Sequence, residues 1–364
     1  LKISVERTPH PKPKPTGRLG FGTTFTDHVF RMDHDAERGW HGPRIEPYGP
    51  VTLDPAAAVL HYGQTVFEGM KALRGVDGQV RLFRPDRHRD RFRRSCDQLC
   101  IPPLPEGAFL EAVEALVGIE WDWVPEDLES SLYVRPYAMA TEPFLGIRPA
   151  QRYSFLILLS PVGSYYARGF RPVRIWVERH ATRAAPGGLG AAKTAANYAA
   201  SLYASVQAKA RGYDQVLWTD APDHERLEEV GTMNLFVVIG REVFTAPLDG
   251  TILPGVTRGT VIELLRSEGI AVREERVTID DVRAAQERGD LREVFGTGTA
   301  AVVSPVGALG FEDGDLQVAD GEPGELSTRL RERLTAIQRG RAPDPGRWMV
   351  PVEPAPARPG SAAQ

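Results

Sequence analysis

Apolar positions along this chain recur at two different periods, and the way they alternate predicts a mixed fold. Val80–Phe83 and residues 131–138 read as strands. Residues 153–160 are almost continuously apolar, which predicts a central strand buried on both faces. Pro85 stands where a first helical turn would begin, and a helix is expected to run to about Leu99. Residues 109–117 have helical spacing. Over 197–211, Tyr198, Leu202 and Val206 recur every four residues and Gly212 is placed to cap the C-terminus, which predicts one helix. Gln215–Thr219, 234–239 and 242–246 read as strands, and 256–268 as a helix closed by Gly269. There is no internal repeat. The order is not a repeating βαβ array, so the expected class is mixed α/β (α+β).

A chain of 364 residues suits two domains of ordinary size. Gly and Pro punctuate 163–190, which predicts a small N-terminal α/β domain over 1–164, a linker over 165–181 and a larger C-terminal domain over 182–364. Residues 8–17 are rich in Pro and Lys and read as a loose arm. The tail from 342 onward is Pro- and Ala-rich and is expected to fray at its end.

Composition removes several function classes. The hydrophobic share of 42%, charged share of 25% and net charge of −4 describe an ordinary soluble protein with no nucleic-acid surface. Six arginines crowd 84–94, but such clusters are usually solvated helix faces. The longest apolar run, near 155–159, is far too short to span a membrane. No signal peptide opens the chain, which starts at Leu1. Cys96 and Cys100 lie four apart on the expected helix, a spacing that makes neither a metal site nor a redox pair. They read as small core or surface residues in a reducing cytoplasm.

Three strings carry candidate chemistry. Lys193 follows Gly187-Gly188-Leu189-Gly190-Ala191-Ala192. A phosphate-binding loop of the nucleotide-triphosphatase kind needs Gly directly before the Lys, and Ala192 stands there. A Schiff-base lysine delivered by a tight turn is the other chemical reading. On the local string alone, a surface lysine beside a loop is the better explanation. Leu253-Pro254-Gly255-Val256-Thr257 feeds a helix N-terminus, where unpaired N–H groups and the dipole favour an anion. Gly296-Thr297-Gly298-Thr299-Ala300-Ala301 reads as a second small-residue turn that a ligand can approach, and Arg91 is a candidate for added charge on a phosphate. Within Glu228-Glu229-Val230-Gly231-Thr232-Met233-Asn234, an acid at the mouth of an apolar strand has the character needed to keep a pyridine nitrogen protonated; a solvated loop acid is the plainer alternative.

Taken together, these strings resemble the branched-chain aminotransferases, fold-type IV enzymes of pyridoxal phosphate. The likeness runs from about Gly20 to Val350. It includes His61-Tyr62-Gly63-Gln64-Thr65-Val66-Phe67-Glu68-Gly69-Met70-Lys71, Leu82-Phe83-Arg84-Pro85, Ser131-Leu132-Tyr133-Val134-Arg135-Pro136 and Thr141-Glu142-Pro143-Phe144-Leu145-Gly146. Ala192-Lys193, Asn197-Tyr198-Ala199-Ala200-Ser201, Asp214-Gln215-Val216-Leu217-Trp218, Glu229 to Asn234, Glu293-Val294-Phe295 and Gly298-Thr299-Ala300 complete it. The resemblance implies a two-domain fold-type IV architecture whose C-terminal domain binds pyridoxal 5′-phosphate. It implies transamination between Leu, Ile or Val and 2-oxoglutarate through a Schiff base on Lys193.

The same resemblance implies residue roles. Glu229 would pair with the ring nitrogen and Tyr198 with the phenolic oxygen. Arg91, the N–H groups of Val256 and Thr257, and Thr299 would hold the phosphate, while Arg183 and Thr232 line the cofactor. Tyr133, with Thr299 and Ala300, would take the substrate α-carboxylate, and Arg135 the distal carboxylate of glutamate. Tyr62, Leu145 and Ile147 from a second copy would complete the pocket, which implies a homodimer. Its other partners would be small amino and 2-oxo acids, with no nucleic acid, membrane or metal involved.

Two departures stand out. The family usually has Gly-Gly before Asn197-Tyr198, where this chain has Ala195-Ala196; the added methyls are expected to tighten a turn beside the cofactor. Mammalian members carry a redox CxxC at positions that here are Ala301 and Ser304. D-amino-acid aminotransferases and aminodeoxychorismate lyases share the Lys and Glu but usually lack the long strings around Tyr62 and Tyr133. A non-catalytic relative would be expected to lose Lys193 or Glu229, and both are present.

Overall fold

The computed structural model describes residues 1–163 and 170–356. The chain divides into one unit of Leu1–Ser164 with Ala336–Gln364 and another of Tyr165–Thr335. This corrects two expectations. Within the supposed linker, Val173–Glu178 is a strand inside the second unit's sheet, paired with Gln215–Thr219 and with Val302–Phe311. The C-terminal region belongs to the first unit, which is therefore the larger. There Met349–Pro351 pairs antiparallel with Val80–Phe83, and Ala355 N–H donates to the Gly118 carbonyl at 2.9 Å. Backbone pairing to a sheet edge does not depend on composition, so a Pro- and Ala-rich segment can take it. The end of the tail, 357–364, and the segment 164–169 lie outside the described residues.

The first unit is built on a sheet ordered Ser4–Val5, Gly39–Pro47, His28–Asp35, Tyr153–Val162, Ser131–Ala140, Met70–Arg74, Val80–Phe83, Met349–Pro351, with Thr65–Phe67 also on Ser131–Ala140. The apolar strand is central, as its composition predicted. Helices Pro85–Gln98 and Ala108–Ile119 contribute Phe92 and Phe109, which pack on Phe155 with ring centroids 5.5 and 6.1 Å away. All three rings are buried, and each contributes about 1.5–3 kcal/mol by leaving water. The arm over 8–17 is tied down. Thr8 N–H donates to His28 Nε2 at 2.8 Å and Lys12 N–H to buried Asp27 at 2.9 Å. Cys96 is buried within the first helix; Cys100 lies beyond its end, exposed, at φ 54°. Along Ser131–Ala140, Tyr133 and Arg135 share the face opposite buried Leu132 and Val134.

The second unit's sheet runs Leu227–Val230, Gln215–Thr219, Val173–Glu178, Val302–Phe311, Leu291–Gly298, Met233–Ile239, Glu242–Phe244, Val272–Arg273. Leu227–Val230 also pairs with Met233–Ile239, so the first six strands close into a ring. That closing hairpin turns on Gly231-Thr232. Gly231 takes φ 57°, a backbone state that favours glycine, and a Cβ there would sit 2.2 Å from Gln215 Oε1 and displace that side chain.

The helix expected over 197–211 is two helices, Ala195–Ala200 and Leu202–Ala210, broken at Ser201. The Ser201 hydroxyl donates back to the Tyr198 carbonyl at 2.7 Å, competing with the helix ladder. The repeating Leu202 and Val206 are exposed. The buried face is Ala204 and Ala208, packed in the cluster of Trp176, Tyr213, Val216 and Trp218. Small residues let that helix lie close to the sheet, so the alanines and not the larger side chains point inward. No helix among the described residues is long and apolar enough to cross a membrane.

Candidate active site

Lys193 sits at the end of the Gly-rich loop, just before the helix Ala195–Ala200. The loop presses on its neighbours: a Cβ on Gly190 would fall 2.3 Å from the Thr251 carbonyl oxygen. Asn197 fixes its shape by donating to the carbonyls of Leu189 and Ala192 at 2.8 and 2.9 Å. One turn into the helix, Tyr198 brings its hydroxyl to 2.6 Å from Lys193 Nζ. Ala195 and Ala196 form the first turn of that helix, neither has positive φ, and Ala196 is exposed. The position is therefore helical, not a tight turn, and the methyls meet no steric penalty from the backbone.

Tyr198 lines a cleft with Arg183, Ala192, Asn197, Ser201, Glu229, Gly231, Thr232 and Leu253. Glu229, on strand Leu227–Val230, is buried. Its Oε2 meets Arg183 Nη2 at 2.8 Å, and its Oε1 accepts from Asn234 Nδ2 at 2.8 Å and Leu253 N–H at 3.1 Å. Burial pushes the Glu229 carboxyl above its ordinary value. Arg183, the Leu253 N–H and Lys193 pull the other way, and neighbouring Glu228 adds to the rise. Arg183 Nε and Thr297 Oγ1 are buried without hydrogen-bond partners.

The helix Val256–Ser267 starts after Gly255 with no side-chain cap and no acid in its first turn. Thr299 and Ala300 lie in the turn joining Leu291–Gly298 to Val302–Phe311, so the expected small-residue turn is narrower than 296–301; Gly296 to Gly298 belong to the strand. Val302 leaves this turn at φ 64°, a backbone state that costs a β-branched residue about 1–3 kcal/mol.

The first unit carries the remaining candidates. Arg91 is buried in a fork with Glu68, Nε to Oε1 at 2.7 Å and Nη2 to Oε2 at 2.9 Å, while His88 Nδ1 meets the same Oε2 at 2.7 Å. Burial alone would raise the Glu68 carboxyl, but the charges of Arg91 and His88 outweigh it and hold the group well below the usual carboxylate range. Arg135 Nη2 donates to the Tyr133 hydroxyl at 3.1 Å, and its guanidinium lies over the rings of Phe67 and Tyr133, 4.7 and 5.3 Å from their centroids. Tyr62, Leu145 and Ile147 are exposed at 44, 63 and 93%, and the Tyr62 hydroxyl donates to the Leu145 carbonyl.

Residues 65–309 match the amino-transferase class IV family. The chain belongs to that family. Branched-chain-amino-acid transaminase 1 of Bacillus subtilis (strain 168) is 54% identical over 352 residues, 96% of this chain and 99% of the relative. The branched-chain-amino-acid aminotransferase of Mycolicibacterium smegmatis (strain ATCC 700084 / mc(2)155) is 45% identical over 336 residues, 91% of each chain. Among solved structures, the branched-chain amino acid aminotransferase of Escherichia coli superposes with a TM-score of 0.75 at 26% identity, covering 90% of this chain and 99% of that one. The T.th. branched-chain amino acid aminotransferase complexed with N-(5′-phosphopyridoxyl)-L-glutamate superposes with a TM-score of 0.73 at 26% identity, covering 92% and 99%.

For a class IV aminotransferase, the second unit's donor set fits pyridoxal 5′-phosphate. It combines an amine beside a phenol, a buried carboxylate, and buried polar atoms on Arg183 and Thr297 still lacking partners. Sequence reasoning missed several supporting residues. Phe21 leans edge-on against Tyr133 with centroids 5.0 Å apart, Glu68 and His88 grip Arg91, and Asn234 holds Glu229. Glu68 and Asn234 both lie inside matched strings, yet only the fold shows what they touch.

Cysteine redox control is not expected in this member. Burial pushes the Cys96 thiol far up, so it stays an unreactive thiol, and the positions of the mammalian CxxC are Ala301 and Ser304. Mild peroxide should leave activity unchanged within assay error. Rapid inactivation reversed by a thiol reductant would contradict this.

Proposed function

We propose that this chain transfers the amino group of L-leucine, L-isoleucine or L-valine to 2-oxoglutarate, giving the branched 2-oxo acid and L-glutamate. The observation that carries the reading is Lys193 Nζ at 2.6 Å from Tyr198, whose ring lines the same cleft as buried Glu229. Pyridoxal 5′-phosphate is the cofactor, and when bound it supplies an aldehyde for an amine to condense with and a ring that withdraws electrons from Cα. Lys193 is the amine that holds it and then the base that moves the proton at substrate Cα. Glu229 keeps the ring nitrogen protonated, and Tyr198 orients Lys193 and the phenolic oxygen. Val256 and Thr257 N–H and Thr299 hold the phosphate; Arg183 and Thr232 line the ring.

Thr299 and Ala300 bind the α-carboxylate. The exposed Tyr62, Leu145 and Ile147 complete the pocket of a second copy, making the active species a homodimer. Free Cys96 and Cys100 suit a reducing compartment, which we take to be the cytoplasm. Assaying the purified protein against L- and D-amino acids with 2-oxoglutarate tests the reading; activity confined to D-amino acids would overturn it.

Arg135 provides a sharper test of the dual substrate. The pocket must take an aliphatic side chain in one half-reaction and a carboxylate in the other. The rings of Phe67 and Tyr133 offer an apolar wall, and the guanidinium lying over them offers a cation for the second case. Arg135→Ala should slow the glutamate half-reaction about ten- to hundredfold and the leucine half-reaction far less. Stopped-flow measurement of each half-reaction decides it, and equal losses would assign the distal carboxylate to another cation.

A further inference from the structure

Asn234 stands directly across from Glu229 in the antiparallel pairing of Leu227–Val230 with Met233–Ile239, and it is buried. One amide there serves two segments. Its Nδ2 donates to Glu229 Oε1 and to the Leu253 carbonyl, both at 2.8 Å, and the Leu253 N–H donates to that same Oε1 at 3.1 Å. Its Oδ1 covers Gly255, where a Cβ would come within 1.9 Å of it. Gly255 is the residue from which the helix Val256–Ser267 starts. Asn234 thus touches the carboxylate assigned to the ring nitrogen and, through Leu253 and Gly255, the turn assigned to the phosphate.

We propose that Asn234 is a positioning residue that locks these two anchoring elements to each other, so that the spacing between ring-nitrogen acid and phosphate turn is set before the cofactor binds. The proposal rests on the cofactor placement given above. The physical reason is the accounting of buried polar groups. Without Nδ2, Glu229 Oε1 keeps only the Leu253 N–H, while Arg183 still draws Oε2 at 2.8 Å, so the carboxylate swings toward the guanidinium. The Leu253 carbonyl loses its Asn234 donor at the same time, and the turn is released. The other charges acting on Glu229 are Lys193 and Glu228.

The test uses the full-length protein as Asn234→Ala and Asn234→Asp, with folding checked by circular dichroism. Asp keeps the shape over Gly255 but presents an oxygen to Glu229 in place of the donor. Three quantities are read: the dissociation constant of pyridoxal 5′-phosphate, that of pyridoxal, which lacks the phosphate, and the pH midpoint of the bound cofactor's visible band. Both variants should bind pyridoxal 5′-phosphate about ten- to hundredfold more weakly. Both should raise the pH midpoint, because a ring nitrogen less firmly protonated leaves more electron density on the conjugated system. In Asn234→Ala the affinity advantage of pyridoxal 5′-phosphate over pyridoxal should also shrink, since the phosphate turn is freed. An unchanged midpoint in Asn234→Asp, or an unchanged advantage in a folded Asn234→Ala, would overturn the proposal. Borohydride fixing the cofactor to the wild type at Lys193, and not to Lys193→Ala, verifies the underlying reading separately. Its failure would sink that reading, whereas normal fixation with unaltered Asn234 variants sinks only the positioning role.

Discussion

Lys193→Ala should lower turnover by about 10⁴-fold or more while leaving the fold intact. Two functions reside in the same nitrogen: the amine that holds the cofactor and the base that moves the Cα proton. The hydroxyl placed against it, Tyr198 at 2.6 Å, is a phenol and cannot substitute as an amine. The side chain is only partly buried, so its truncation leaves no large cavity and the melting temperature should change little. Single-turnover kinetics with L-leucine on the folded variant check this, and a rate near wild type would remove Lys193 from the site.

Glu229→Gln should cost about ten- to hundredfold or more in rate while the protein still binds some cofactor. A neutral amide cannot stabilise a protonated ring nitrogen. The substitution also leaves the Arg183 guanidinium, buried beside it at 2.8 Å, without its counter-charge. An amide oxygen can still accept from Arg183, so the stability loss should stay at about 1–3 kcal/mol. Comparing kcat with the melting temperature of the same preparation separates the two effects. A rate within twofold of wild type would count against the role. A variant that loses rate only because it unfolds would assign Glu229 to structure.

Much of the fold was legible because local signals agreed with each other. Pro85 opened a helix, Gly212 and Gly269 closed two more, and the apolar strand Tyr153–Val162 took the central place its composition suggested. The helix over 197–211 failed for a tertiary reason. The large residues Leu202 and Val206 that set the periodicity stay exposed, and close packing on Trp176 and Trp218 buries Ala204 and Ala208 instead. The assignment of the C-terminal region to the second domain failed because pairing of Met349–Pro351 to a strand of the first unit joins main-chain groups that every sequence carries.

The sequence by itself determined the chemical inventory of this protein: a lysine after a glycine-rich loop, a phenol five residues on, an acid before a Gly-Thr turn, and a Gly-containing turn feeding a helix start. Such residues are visible because chemistry demands particular side chains. Only the tertiary structure decided their partners. It put Tyr198 against Lys193, Arg183 and Asn234 on opposite oxygens of Glu229, and Glu68 and His88 on Arg91. These contacts join residues on different strands and loops, and their geometry comes from strand register and ring closure. The physical cause is that a buried charge must find partners wherever the packed chain brings them, and neighbours in space need not be neighbours in sequence.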